Sequence, residues 1–183
     1  MSTIAENLGG TAHLSPVLRK ARRCGLHTPG DLLRLAVRRG CHHYAPPDYD
    51  EAAVIEPGQE RLSDLEVAMA LMTAAQNYDP QLLRCAAQLL GSPAIRAGAL
   101  VRMAVMERCV PIVRHIAESA ARYDDVRPEF WTEVLAELPA GRPVRAGVLP
   151  HPTRFVSQTG FTNPRRMTDR RTVWLRPTGG ALR

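Results

Sequence analysis

Apolar residues recur through the middle of this chain with the 3.6-residue period of helices that bury one face. Leu65, Ala68, Met69 and Met72 share such a face, as do Leu82, Cys85, Ala86 and Leu89. Val134 and Leu138 repeat the pattern with Phe130 or Trp131. Start signals bracket these runs. Ser15-Pro16, Thr28-Pro29, Asp79-Pro80 and Ser92-Pro93 each set an N-cap residue before a proline suited to the first helical position. Ser63 with Glu66 has capping-box spacing, and Thr28 with Asp31 is its acidic variant. Gly25, Gly40 and Gly91 stand where a left-handed residue ends a helix.

Together these signals predict helices at roughly 16–24, 29–39, 64–77, 80–90, 93–108, 111–123 and 128–138. From residue 64 onward the connections are short, so consecutive helices are expected to pack as antiparallel hairpins. The expected fold is mainly α: an irregular array of helical hairpins with a basic, largely non-helical C-terminal extension. Within the array, Val17 to Ala21, Leu32 to Ala36, Leu82 to Ala86 and Leu100 to Ala104 all read apolar, apolar, Arg, x, Ala. The first residue and the Ala lie one turn apart on one face, with the Arg at its edge. The uneven spacing gives no fixed repeat.

Four segments follow from these patterns. Residues 1–43 are a basic N-terminal helical pair, and 44–62 an acidic linker containing Pro46-Pro47 and Pro57-Gly58. Residues 63–138 are the helical core, and 139–183 the extension. Prolines at 139, 143, 150, 152, 164 and 177 exclude a long helix from the extension. Short extended runs at Arg154–Ser157 and Thr172–Leu175 can pair as a hairpin. Every strong cap precedes residue 139, so a helical body ending there is expected to fold alone.

Charge changes this picture most. The extension carries nine arginines against Asp169 alone, whereas the rest of the chain is slightly acidic. The net charge of +6 is owed to the extension and points to a polyanionic or acidic partner. Of the 24 basic residues only Lys20 is not arginine, whose planar fork pairs bidentately with phosphate and carboxylate. Arg165-Arg166 and Arg170-Arg171 are dibasic pairs, with Arg154, Arg176, Phe155, Phe161 and Trp174 among them. Cations for phosphates and rings for bases suit single-stranded nucleic acid without a sequence code. The expected contact set is Arg154, Arg165, Arg166, Arg170, Arg171, Trp174 and Arg176. A competing reading docks the extension on acids of the body such as Asp124, Asp125, Glu129, Glu133 and Glu137.

Other constellations are weaker. The first helical pair has Ala21 and Gly25 at helix-turn-helix spacing and Arg34, Arg38 and Arg39 on its second helix. Asp31 falls on a core position of that motif and Pro29 in its turn, so an ordinary hairpin is expected. Cys24, His27, Cys41 and His43 are zinc-type ligands at the ends of two predicted helices. Their spacing matches no standard finger and arginines flank them, so no bound metal is expected. His42 and His43 near Asp48, Asp50 and Glu51 are a further metal set, with Pro46-Pro47 between them. No GxSxG, Walker, HExxH or GxGxxG pattern occurs, and no motif implies a cofactor.

No stretch is apolar enough to cross a membrane, Met1 to Gly10 has neither the basic nor the apolar region of a secretory leader so none is expected, and four cysteines show no pairing pattern. A cytoplasmic protein with reduced thiols is expected. The leading reading is a non-enzymatic accessory or adaptor subunit that packs on other protein subunits and contacts nucleic acid or a nucleoprotein complex through its arginine-rich tail. The alternatives are a protein–protein adaptor whose tail binds an acidic protein surface, and a zinc-stabilised DNA-binding regulator.

Overall fold

In a computed structural model of the chain the fold is mainly helical, with seven α-helices, three single-turn 3-10 helices and one two-stranded antiparallel sheet among the described residues. The structure describes residues 15–45, 49, 58–74, 79–141, 144, 147–159 and 171–178. The helices are α1 (Pro16–Arg23), α2 (Pro29–Arg38), α3 (Asp64–Ala74), α4 (Pro80–Leu90), α5 (Ala97–Met106), α6 (Val110–Tyr123) and α7 (Pro128–Glu137). Strands β1 (Val156–Thr159) and β2 (Arg171–Trp174) follow. No helix among the described residues is long and apolar enough to cross a membrane.

Most start signals act as read. The Ser15 hydroxyl accepts from the Leu18 amide, and Asp79 Oδ1 accepts from the amides of Gln81 and Leu82. Thr28 and Asp31 close a capping box, and so do Ser63 and Glu66. Ser92-Pro93 is the exception, because α5 begins only at Ala97. The Ser92 hydroxyl donates to Asp64 Oδ2 at 2.9 Å instead of capping a helix. Gly25 and Gly40 take positive φ, whereas Gly91 is right-handed. Gly91 stands in a tight place: a Cβ there would lie 3.0 Å from Arg176 Cγ and 3.1 Å from the Gln88 carbonyl oxygen.

Helix α3 is the centre of the core. It packs against α1, α2 and α4, and Leu65 and the run from Val67 to Thr73 are all buried. An all-round apolar helix belongs in an interior, which is why α3 exceeds the single face its periodicity marks. The other expected faces are buried as read, including Leu82, Cys85, Ala86, Leu89, Phe130, Trp131, Val134 and Leu138. In the recurring five-residue pattern, Val17/Ala21, Leu32/Ala36, Leu82/Ala86 and Leu100/Ala104 all point inward. Helices α6 and α7 form a second hairpin, with α5 against α7.

The end of the acidic linker lies on the first helical pair. Arg39 donates to Asp64 Oδ1 at 3.0 Å and to the carbonyls of Gln59 and Leu62, while Lys20 pairs with Glu66 at 2.6 Å.

Beyond α7 the chain adds to the same core. β1 and β2 pair in the register Val156↔Trp174 to Thr159↔Arg171, and the Leu175 amide donates to the Phe155 carbonyl at 3.2 Å. Phe155 and Trp174 are buried to 1% and 2% exposure. Trp174 meets Trp131 edge-on at 5.8 Å between centroids and lies 5.8 Å from Phe155. The helical core therefore does not end at residue 138, because the extension supplies two of its aromatic rings.

Candidate nucleic-acid interface

The hairpin has two dissimilar ends. At one, Phe155 and Trp174 enter the core against Trp131. The other ends at the Thr159↔Arg171 pair. At about 3.3 Å per residue, Arg171 starts roughly 10 Å along the strand from Trp174. Residues 160–170, with Arg165, Arg166 and Arg170, lie outside the described residues and join the hairpin at that second end. Arg154 is exposed at the close of the turn Pro152–Arg154, on the approach to β1.

Three members of the expected contact set are engaged by the protein itself: Arg154, which is exposed yet has a partner, Trp174 and Arg176. Trp174, expected as a stacking platform, is inside, since burying an indole in an aromatic cluster gains more than leaving it in water. Its Nε1–H meets no acceptor among the described residues. Arg176, expected to reach phosphate, donates instead to Asp124, whose side chain is wholly buried. Docking on a body acid, the competing reading, thus describes Arg176, while Trp174 is held by aromatic packing.

Asp124 gathers four donors. Besides Arg176 they are Trp131 Nε1 at 2.7 Å and the amides of Val126 and Arg127 at 3.0 and 3.2 Å. The Arg127 guanidinium lies 4.0 Å over the Phe130 ring and donates to the carbonyls of Ser92 and Ile95. Burial pushes the Arg127 pKa down and Arg176 adds to that, with Asp124 opposing. After Arg176 the chain crosses the ends of α2 and α4. Gln88 Nε2 donates to the Arg176 carbonyl at 2.8 Å, and the Thr178 amide to the Gly40 carbonyl at 3.0 Å. Arg39, Asp64, Ser92, Arg127, Asp124, Arg176, Gln88 and Gly40 thereby link the linker, five helices and the C-terminal strap by polar contacts.

Gln88 had no assigned role in the sequence, and Gly40 was read only as a helix stop. Gln88 falls on the buried stripe of α4 with Cys85 and Leu89, and a polar residue on an apolar stripe was the available signal.

The zinc-type set does not assemble. Cys24 and Cys41 are buried, His27 and His43 exposed, and the Cys41 thiol donates to the Cys85 carbonyl at 3.9 Å. Among the described residues no three His, Cys, Asp or Glu converge as metal ligands. Asp48, Asp50 and Glu51 of the other metal set lie outside the described residues. In the helix-turn-helix region, Arg39 faces the linker rather than solvent, and Arg34 lies 3.6 Å from Asp31.

Two of the buried thiols are pushed towards the neutral form. Hydrogen bonding to Cys85 and burial push Cys41 far up. Burial raises Cys109, Thr73 draws it partly back, and Glu107 raises it again. Neither has the electropositive setting that makes a thiolate nucleophile.

The chain matches no protein-family model, no curated protein and no solved structure.

Proposed function

We propose that this protein is a non-catalytic accessory or adaptor subunit of the cytoplasm that carries an arginine-rich contact for nucleic acid on a hairpin rooted in its core. The observation that carries this reading is the division of labour along the hairpin. Phe155, Trp174 and Arg176 anchor it to α6 and α7, and the anchored strands meet residues 160–170 at their far end. That connection holds Arg165, Arg166 and Arg170 against Asp169 alone. With Trp174 inside, the reading rests on phosphate contacts and not on stacking by that ring.

A protein-facing role for the body draws support from Val105, Met106 and Val126, the large apolar residues left exposed among the described residues. Purification without nuclease, with the ultraviolet spectrum read for co-purified nucleic acid, followed by salt-titrated binding to mixed-sequence RNA and DNA, tests the reading. Binding that weakens steeply with salt and little with sequence supports it. No detectable binding at about 50 mM salt overturns it and favours an adaptor whose basic tail meets an acidic protein.

A further inference from the structure

The fold sorts the cations of the first helical pair into two groups. Lys20, Arg34 and Arg39 each have an acid: Glu66 at 2.6 Å, Asp31 at 3.6 Å and Asp64 at 3.0 Å. Arg38 is half-buried and engaged within the protein. Arg19, Arg22 and Arg23 are exposed on α1 and pair with no acid among the described residues. Their i, i+3, i+4 spacing puts all three guanidinium groups on one face.

We propose that this face of α1 is a second contact surface for nucleic acid, taking the phosphodiester backbone. Stability alone does not favour the row, since like charges at i, i+4 such as Arg19 and Arg23 repel within a helix. A helix C-terminus welcomes cations, which accounts for Arg22 and Arg23 in the last turn, but Arg19 precedes that turn. The helix is firmly held. Val17 and Ala21 are buried, the Val17 amide donates to Glu107 Oε1 at 2.9 Å, and Lys20 is tied to Glu66. A fixed row of guanidinium forks suits successive phosphates, because each fork pairs with phosphate oxygens at little further ordering cost. Pro16–Arg23 contains no aromatic residue, so the contact is to backbone rather than to bases. None of the exposed large apolar side chains lies on α1, whereas a protein partner would need an apolar centre to its interface.

The inference rests on the nucleic-acid reading above but concerns separate residues. Fluorescence anisotropy with mixed-sequence single-stranded RNA, single-stranded DNA and duplex DNA, titrated with salt, tests it on the full chain. The triple variant Arg19→Gln, Arg22→Gln, Arg23→Gln should flatten the log–log salt slope by about two to three, alike for every sequence. Each single substitution should flatten it by about one, which keeps the test open if the triple variant melts early. Arg→Lys at all three positions should keep the slope. An unchanged slope and affinity in the glutamine variants, with binding still lost on changing Arg165, Arg166 and Arg170, would overturn this inference alone. Intact protein that binds none of the three probes would overturn both.

Discussion

Trp174 meets Trp131 edge-on with ring centroids 5.8 Å apart, and through that contact the C-terminal extension becomes part of the helical core. Trp131 is itself held by its Nε1–H donating to Asp124, the same carboxylate that receives Arg176. Two residues of the extension, separated by one position, thus converge on one helical hairpin through an apolar and an ionic contact.

Removing this anchor should be costly. Trp174→Ala should destabilise the protein by about 3–5 kcal/mol, a fall in melting temperature on the order of 10 °C. Chain ending at residue 138 should lose at least as much, since Phe155 and Arg176 go too. Thermal melting followed by circular dichroism reads both, and a truncated body that melts like the full chain would show the anchor to be dispensable.

Much of this architecture was legible before the fold. The caps at Ser15, Thr28, Ser63 and Asp79, the inward faces of α4 and α7, and the pairing of two short C-terminal strands follow from local chemistry. What escaped depends on distant partners. Ser92 has the form of an N-cap, yet its hydroxyl is taken by Asp64 and its carbonyl by Arg127. The period-2 pattern of β2 sets Val173 and Leu175 together as the apolar face, while Trp174 shares its side with exposed Thr172. Only the closeness of Trp131 and Phe155 turns the indole inward. Arginines read as one basic field divide by partner in the same way, with Arg176 drawn to the buried Asp124.

The seat of the C-terminal strap should tolerate a methyl group badly at one glycine and better at the other. Gly40 has φ +99°, and a Cβ there would lie 2.7 Å from the Thr178 carbonyl oxygen and 2.8 Å from its amide nitrogen. At Gly91 φ is −70°, which any residue adopts, and the closest atoms are farther off, Arg176 Cγ at 3.0 Å and the Gln88 carbonyl oxygen at 3.1 Å. Gly40→Ala should therefore cost at least about 1–3 kcal/mol from backbone strain alone, and more than Gly91→Ala. Denaturant midpoints of the two variants give the comparison, and the reverse order would contradict the close approach of residues 177–178 to Gly40.

All four cysteines are buried as free thiols, and Cys41 and Cys109 are pushed up, so none should behave as a surface thiolate. Native protein should react slowly with a thiol reagent and take up four equivalents only as it unfolds. A cysteine labelled in the native state at the rate of a free thiol would show that its helix opens readily.

Acid should remove one defined stabilisation. Burial raises the pKa of Glu66, but bonds from Lys20 and Ser63 outweigh it and leave the carboxyl below its ordinary 4.5. Asp31 lies below 3.8 for a similar reason, burial being outweighed by hydrogen bonds from Thr28 and His27 and by Arg34. A carboxylate depressed in the fold stabilises fully above its unfolded pKa, and loses that contribution as pH falls through the folded value. Wild type should exceed Glu66→Gln in stability above about pH 5, with the difference closing at lower pH. Denaturant melts across that range check this, and a gap constant throughout would contradict the pairing with Lys20.

The separation of the core anchor from the proposed nucleic-acid contact is tested most directly by changing Arg165, Arg166 and Arg170 to Ala together, then measuring salt-dependent oligonucleotide binding and thermal stability on one preparation. The salt slope should fall by about one for each arginine that met a phosphate, while the melting temperature stays where it was. A lower melting temperature with unchanged binding would mean that these arginines, like Arg176, are spent on the protein's own acids, and would contradict the proposed function.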